Sequence, residues 1–249
     1  MKNPKISIIT VVKNNKNFIE KNILSLLSQK YKNYEHIIID GESTDGTLKI
    51  INKYKKSISS FISEKDQGIY DALNKGINLA SGDIIGILNS DDYFYDNALE
   101  IVKTYFEKKP EIDFLFGSVH KFTLRHGFFP KKIYWTFNFY PTHSVGFFIK
   151  KASQEKLGYY NTKYKYSSDY DLFYRMIVKN KMIGIATKKN EVLGFFNPYG
   201  FSSTIRYIDY LNENTQIRLD NGQNKIIVWI IHFLRLSKRI FRVIKENRK

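Results

Sequence analysis

Four short apolar runs, each closed by polar residues and each followed by a segment of helical period, dominate the first third of the chain. Lys5 to Val12 is β-branched and apolar, and Tyr34 to Asp40 carries Ile37-Ile38-Ile39 at its centre. Ile58 to Ser63 is a weaker run, and Asp83 to Leu88 is almost wholly apolar after a Ser81-Gly82 turn. Short runs without polar alternation read as strands buried on both faces, as in a parallel sheet. Between them, Ile19, Ile23, Leu24, Leu26 and Leu27 fall at helical spacing behind Asn17, which suits a cap. Asp45 or Thr44 suits the cap of a helix from Leu48 to Tyr54, and Gly68 to Ala80 turns Ala72, Leu73, Ile77 and Ala80 inward. The order β-α-β-α-β-α-β specifies a doubly wound, parallel α/β sheet.

In such sheets ligands bind beyond the carboxyl ends of the strands. The fourth run ends there in Asn89-Ser90-Asp91-Asp92. Two adjacent carboxylates can hold a hard divalent cation bridging to phosphate; equally, an aspartate at this point can serve a helix starting near Asn97. The second run ends in Asp40. That carboxylate can accept the imide N–H of a uracil ring or brace the Ser43-Thr44 turn that follows. Gly41 to Thr47 has the glycine spacing of a phosphate-binding loop but no lysine after the second glycine, and there is no G-x-G-x-x-G. Nucleoside-triphosphate and dinucleotide readings are therefore poor.

Beyond residue 95 the alternation breaks down. Asn97 to Lys108 reads as a helix, Ile112 to Val119 as one strand, Gly146 to Ile149 as another and Ala152 to Leu157 as a short helix. Lys121 to Phe139, basic and aromatic, either covers an acceptor groove or is a loop and hairpin packed by its aromatics; the second reading is preferred. Ser167 or Ser168 suits the cap of a helix whose inward face is Leu172, Phe173 and Met176. Asp169 and Asp171 then fall in its first turn, where acids complement the helix dipole or where one could act as a general base.

The net charge of +16 points to a polyanionic partner: nucleic acid, an anionic membrane or a phosphorylated substrate. The absence of cysteine excludes disulfides and thiolate metal sites and fits a reducing compartment. Neither a signal peptide nor a membrane-spanning helix is expected, since the first apolar run leads straight into Lys13-Asn14-Asn15 and no run reaches about 18 apolar residues. Lys225 to Lys249 contains eight Lys or Arg and one Glu. Ile226, Ile230, Phe233, Leu234, Ile240, Phe241 and Ile244 lie on one helical face, with Trp229 near the start. Arg235, Lys238, Arg239, Arg242 and Lys245 lie mainly on the other. Such a helix is an interfacial membrane anchor or packs back on the domain with its charges solvated.

Five stretches, in order, resemble the family 2 glycosyltransferases of bacterial surface-polysaccharide assembly, of the O-antigen and colanic-acid type. They are Ile6 to Val12, Asp40-Gly41-x-Ser43-Thr44-Asp45-Gly46-Thr47, Asp66-Gln67-Gly68-Ile69-Tyr70-Asp71-Ala72-Leu73-Asn74-Lys75-Gly76-Ile77, Leu88-Asn89-Ser90-Asp91-Asp92 and Ser168-Asp169-Tyr170-Asp171-Leu172. The resemblance implies the glycosyltransferase A (GT-A) fold: a mostly parallel, Rossmann-like sheet flanked by helices, here with a basic amphipathic helical tail. It divides the chain into a transferase domain over residues 1–220 and a membrane-associating helix over 221–249. Within the domain, residues 1–95 would bind the nucleotide sugar and residues 96–220 the acceptor.

By that resemblance the backbone and side chains around Thr10, Val11, Val12 and Lys13, with Asp40, would hold the uracil and ribose of a UDP-sugar. Asp71 and Lys75 would line the donor site. Asn89, Ser90 and Asp91 would approach ribose and diphosphate, with Asp91 contacting Mn²⁺ or Mg²⁺. Asp169 would be the catalytic base, with Asp171 beside it. Three positions depart from the family pattern: Asn89 stands for the first metal-motif aspartate, Ser168 for a glutamate, and Lys13 where an aromatic is common. The implied reaction moves a hexose of the Glc, Gal or GlcNAc type to a lipid-linked or polysaccharide hydroxyl with inversion. It would take place on the cytoplasmic face of the inner membrane, with no nucleic acid involved. The rival readings are a nucleic-acid- or membrane-binding protein without catalysis, and an inactive relative.

Overall fold

The computed structural model describes residues 1–135 and 139–246, with side chains through Ile240. Phe137, inside the basic and aromatic stretch, and the last residues of the tail lie outside the described residues, as do the side chains of Phe241, Arg242, Ile244 and Lys245. Strand β1 (Ile6–Val12) is buried at every position, as a strand covered on both faces must be. The alternation then runs α1 (Ile19–Leu27), β2 (Tyr34–Asp40), α2 (Thr47–Lys53), β3 (Ser60–Ser63), α3 (Ile69–Leu79) and β4 (Ile84–Ile87), each within a residue or two of expectation. The caps differ. The amides of Phe18 and Ile19 donate to the Asn15 carbonyl, so Asn17 caps nothing. Gly46, with a left-handed φ of 102°, is the N-cap of α2. Asp45 Oδ1 accepts from the Thr47 amide (3.0 Å) and hydroxyl (2.6 Å).

After β4 come β5 (Tyr93–Phe94), α4 (Ala98–Lys108), β6 (Phe114–Phe116), β7 (Ser118–His120), β8 (Leu124–Arg125), β9 (Phe147–Lys150), α5 (Lys151–Leu157) and α6 (Ser168–Tyr174). Helix α6 continues as a π turn over Arg175–Lys179. The remaining elements are β10 (Gly184–Ala186), β11 (Val192–Phe195), α7 (Tyr207–Asp220) and α8 (Lys225–Glu246). The main sheet has the order β10-β6-β9-β4-β1-β2-β3, and a smaller one the order β5-β11-β7-β8. All pairs of the main sheet are parallel except those of β9, which runs antiparallel between β4 and β6. The expected single strand from Ile112 to Val119 is two strands in two sheets. The chain changes sheet at Gly117, where Leu193 fills the space a Cβ would need.

Alternate residues of β1 face different layers. Ile9 and Val11 join Ile37, Ile87, Leu73 and Phe173 in one core cluster, whereas Ile6 and Ile8 join Leu99, Val102 and Phe106 of α4 in another. The register aligns Val12 with Asp40 and Asp40 with Ser63, so three strands end in one row. Helix α7 was not foreseen; its buried side includes Asn214, Thr215 and Arg218 beside Leu211 and Ile217, which blurs the apolar period. Helix α8 packs on α7 through Val228, Ile231 and His232, whose Nδ1 lies 2.9 Å from Thr215 Oγ1. The apolar face expected from the sequence is therefore not the packed one. Ile226, Trp229, Ile230, Phe233, Leu234 and Ile240 are all exposed. Among the described residues no helix is long and apolar enough to cross a membrane.

Candidate active site

Three carboxylate-bearing groups make up the candidate site. Asp40, at the end of β2, is fully buried. Its Oδ2 accepts from the Ser43 amide (3.0 Å) and the Ser63 hydroxyl (2.7 Å). Its Oδ1 is buried with no partner among the described residues. Asp40 thus braces its turn with one oxygen and keeps an unpartnered acceptor in the other. Buried acceptors ordinarily find donors, so this oxygen is open to an N–H. Gly41 follows because Asp66 occupies the place where a Cβ would sit.

The second group is the turn after β4. Asn22 of α1 donates to the carbonyls of Asn89 (2.8 Å) and Asp92 (3.0 Å), and Ser144 Oγ accepts from the Asn89 amide (2.8 Å). Asn15 donates to Ser90 Oγ (2.8 Å). Asp92 is buried, its Oδ1 accepting from the Asn197 amide at 2.7 Å, and Asn197 Nδ2 lies 3.3 Å from Asp91 Oδ2. Burial raises the Asp91 pKa, and burial together with the Asp91 charge raises that of Asp92 well above the carboxylate range. A cation would relieve both effects. Asn89 Oδ1 and Asp92 Oδ2 are buried without partners among the described residues. An all-oxygen set with unpartnered atoms fits Mg²⁺ or Mn²⁺. No group of three or more His, Asp or Glu is clustered as a metal cage among the described residues, so Asp91 and the donor's phosphates would have to supply most of the ligands. The Asp91-Asp92 pair does not cap α4, whose N-cap is Asn97.

The third group is Asp169, in the first turn of α6. Its Oδ1 accepts from Tyr70 OH and its Oδ2 from Tyr140 OH, both at 3.1 Å. Burial and then the Asp169 charge raise both tyrosine pKa values well above 10, so the phenols keep their protons and donate. His143 lies beside them, Nε2 2.6 Å from Tyr160 OH, with a pKa lowered by burial. Phe116, Phe139 and Phe147 pack edge-to-face with Phe173 behind them as a buried floor. Asp171 faces elsewhere: it pairs with Arg175 Nε (2.8 Å) and accepts from Asn221 (2.8 Å). Its role is structural.

The other expected donor-site residues divide. Thr10, Val11 and Val12 are buried side chains; Thr10 Oγ1 lies 2.9 Å from His36 Nε2, and Val12 packs with Ile19 and Ile23. As side-chain ligands they are corrected, because both faces of β1 are covered; only main chain remains at the strand end. Lys13 is exposed beside Gly41 and Asp66. Lys75 pairs with Glu64 (2.8 Å) and Asp71 (3.5 Å), and Asp71 accepts from the Gln67 amide, so these two brace the turn from β3 to α3.

The segment from Tyr140 to Ser144 joins the groups. Tyr140 bonds Asp169 and Ser144 bonds Asn89, and four residues span at most about 14 Å. His143, which on sequence alone could reach the site or be an ordinary loop residue, lies beside the base. The residues that the sequence did not announce are Tyr70, Tyr140 and Tyr160 around it, and Asn197 on the carboxylate pair. Only turn chemistry at Asn197-Pro198 marked the last of them.

Residues 7–183 match the family model described as glycosyl transferase family 2. A PGL/p-HBAD biosynthesis glycosyltransferase of Mycobacterium bovis is 26% identical over 196 residues, covering 73% of this chain and 72% of that protein. An uncharacterized glycosyltransferase of Haemophilus influenzae is 41% identical over 103 residues, covering 40% of this chain but only 41% of that relative's length. Among solved structures, S. aureus TarS in complex with UDP-GlcNAc superimposes with a TM-score of 0.69 at 16% identity, over 93% of this chain and 70% of that one. A mannosyltransferase from Pyrobaculum calidifontis in complex with GDP-Man and Mn²⁺ gives 0.68 at 18% identity, over 94% and 70%. The matched stretch takes in Asp40, Asp91 and Asp169: the chain belongs to glycosyl transferase family 2 and has the GT-A fold.

Proposed function

We propose that this transferase moves a hexose from a UDP-sugar, with inversion and with a divalent metal, to a hydroxyl of a lipid-linked or surface-polysaccharide acceptor. The observation that carries the reading is the link that Tyr140 to Ser144 makes between the carboxylate pair at the end of β4 and Asp169, which two tyrosines hold, with Asp40 and its unpartnered acceptor at the end of β2 in the same sheet. The UDP-GlcNAc complex of one structurally similar protein and the GDP-Man and Mn²⁺ complex of another support a nucleotide-sugar donor and a metal. Asp40 Oδ1 accepts the uracil N–H. Asp91, with Asn89 and Ser90, faces the diphosphate. A cation bound there supplies Lewis-acid neutralisation of the departing UDP. Asp169, oriented by Tyr70 and Tyr140, takes the proton of the attacking hydroxyl from the face opposite the leaving group. The test is UDP release from a panel of UDP-hexoses, with Mn²⁺ and membrane lipid extract. Release that needs both metal and lipid supports the reading; no release from any donor sinks it.

The acceptor side of the proposal extends to the bilayer. The exposed apolar face of α8 would lie in an anionic leaflet on the cytoplasmic side, with Lys238 and Arg239 near its headgroups. Because α8 also packs on α7, point substitution is a cleaner test than deletion. Trp229 and Phe233 are exposed, and burying a large apolar side chain contributes about 1.5–3 kcal/mol. Trp229→Glu with Phe233→Glu is expected to cut partition onto phosphatidylglycerol vesicles by roughly a hundredfold or more. Unchanged partition, with the protein folded, rejects this contact.

A further inference from the structure

The hairpin of β7 and β8 carries Lys121 and Arg125 to the rim of a polar concavity of about 250 Å³, lined also by His126, Tyr140 and Pro141. Its position is informative. The wall residue Tyr140 is the one whose hydroxyl bonds Asp169 Oδ2. On the other side, the Lys121 ammonium lies 4.5 Å from the ring centroid of Phe196, the neighbour of Asn197, which bonds both Asp91 and Asp92. The concavity is therefore walled by a residue that bonds the base and by one that touches the neighbour of Asn197, and it lies by the small sheet.

Its charge is unbalanced. No carboxylate lies within ion-pairing distance of Lys121 or Arg125 among the described residues. Burial and the Arg125 charge both pull the Lys121 pKa down, and Asp92 pulls it partly back. Two neighbouring cations, one half-buried, repel each other until an anion lies between them. The volume is below the roughly 300–1,000 Å³ of sites for drug-sized ligands and suits a phosphoryl group with its water.

We propose that Lys121, Arg125 and His126 form a phosphoryl-binding subsite for the acceptor, which fixes a phosphate-bearing substrate so that its hydroxyl meets Asp169. The guanidinium of Arg125 presents a fork to two phosphate oxygens, and Lys121 adds a point charge. This rests on the transferase reading above and names the substrate class: an acceptor carrying a phosphate or diphosphate ester near the hydroxyl to be glycosylated. The donor's own diphosphate is the competing source of the same chemistry, and the experiment separates the two.

The full chain is loaded with UDP and Mg²⁺, and inorganic phosphate is titrated in as the probe, followed by phosphorus NMR line broadening. Wild-type protein is expected to bind phosphate alongside UDP. Lys121→Gln with Arg125→Gln is expected to weaken phosphate by about tenfold or more, the loss that goes with a charge-assisted hydrogen bond, while UDP affinity holds. Lys121→Arg, which keeps the charge, is expected to retain phosphate binding. Phosphate that does not bind the loaded wild type, or binds the double variant equally well, overturns the subsite. A parallel loss of UDP affinity assigns the cations to the donor and overturns it too. If UDP itself fails to bind wild-type protein, the donor reading falls and takes this inference with it.

Discussion

Asp169→Asn is expected to lower kcat by roughly 10²–10⁴-fold, the range for removing a positioned general base, while UDP binding by calorimetry stays at the wild-type level. The asparagine keeps the shape of the side chain, and its carbonyl can still accept from one of the two tyrosines that hold Asp169 at 3.1 Å. What it loses is a place for the hydroxyl's proton. The effect should therefore appear in kcat more than in donor KM. A fall of less than about tenfold would move the role elsewhere. His143 would be the next candidate, since burial keeps its imidazole neutral and Tyr160 holds its Nε2 at 2.6 Å. Tyr140→Phe separates orientation from chemistry: it frees one carboxylate oxygen without removing the base, so a partial loss is expected.

Asp91→Ala is expected to cost about 10³-fold in turnover, corresponding to roughly 4 kcal/mol of charge stabilisation, and to weaken Mn²⁺ binding in the presence of UDP. The side chain is held at its far side by Asn197, and Gly200 approaches so closely that its Cβ would meet the carboxylate. Alanine therefore removes a positioned ligand rather than a loose one. Asp92 behaves differently because its buried Oδ1 holds the Asn197 amide. Asp92→Asn preserves that acceptor and should leave most of the turnover. If Asp91→Ala retains wild-type activity and manganese affinity, the carboxylate pair is not the metal site.

Much of the sheet was legible because its signals are local. Ile37-Ile38-Ile39 has no polar alternation, so β2 had to be covered on both faces, and Asp40 had to stand at its end. Asp91 was legible for the same reason. The break at Gly117 was not, because an apolar run does not say which of two sheets it joins; only Leu193, far along the chain, decides it. The shell around Asp169 was hidden likewise. Tyr70, Tyr140 and Tyr160 look like any aromatic residues until the fold brings them together. In α8 the amphipathic period was readable, but not which side α7 would cover. Thr10 shows the other limit: a motif position does not say whether side chain or backbone would meet a ligand, and burial withdraws only the side chain.

The antiparallel strand β9 has a consequence for how the molecule is made. It is the seam between β4 and β6, and its residues, Phe147–Lys150, follow the first four strands by some distance along the chain. During synthesis the nascent β1–β4 unit carries a bare strand border until that segment emerges. A ribosome pausing within the basic hairpin region would prolong this interval, leaving Ile84–Ile87 open to pairing with another chain.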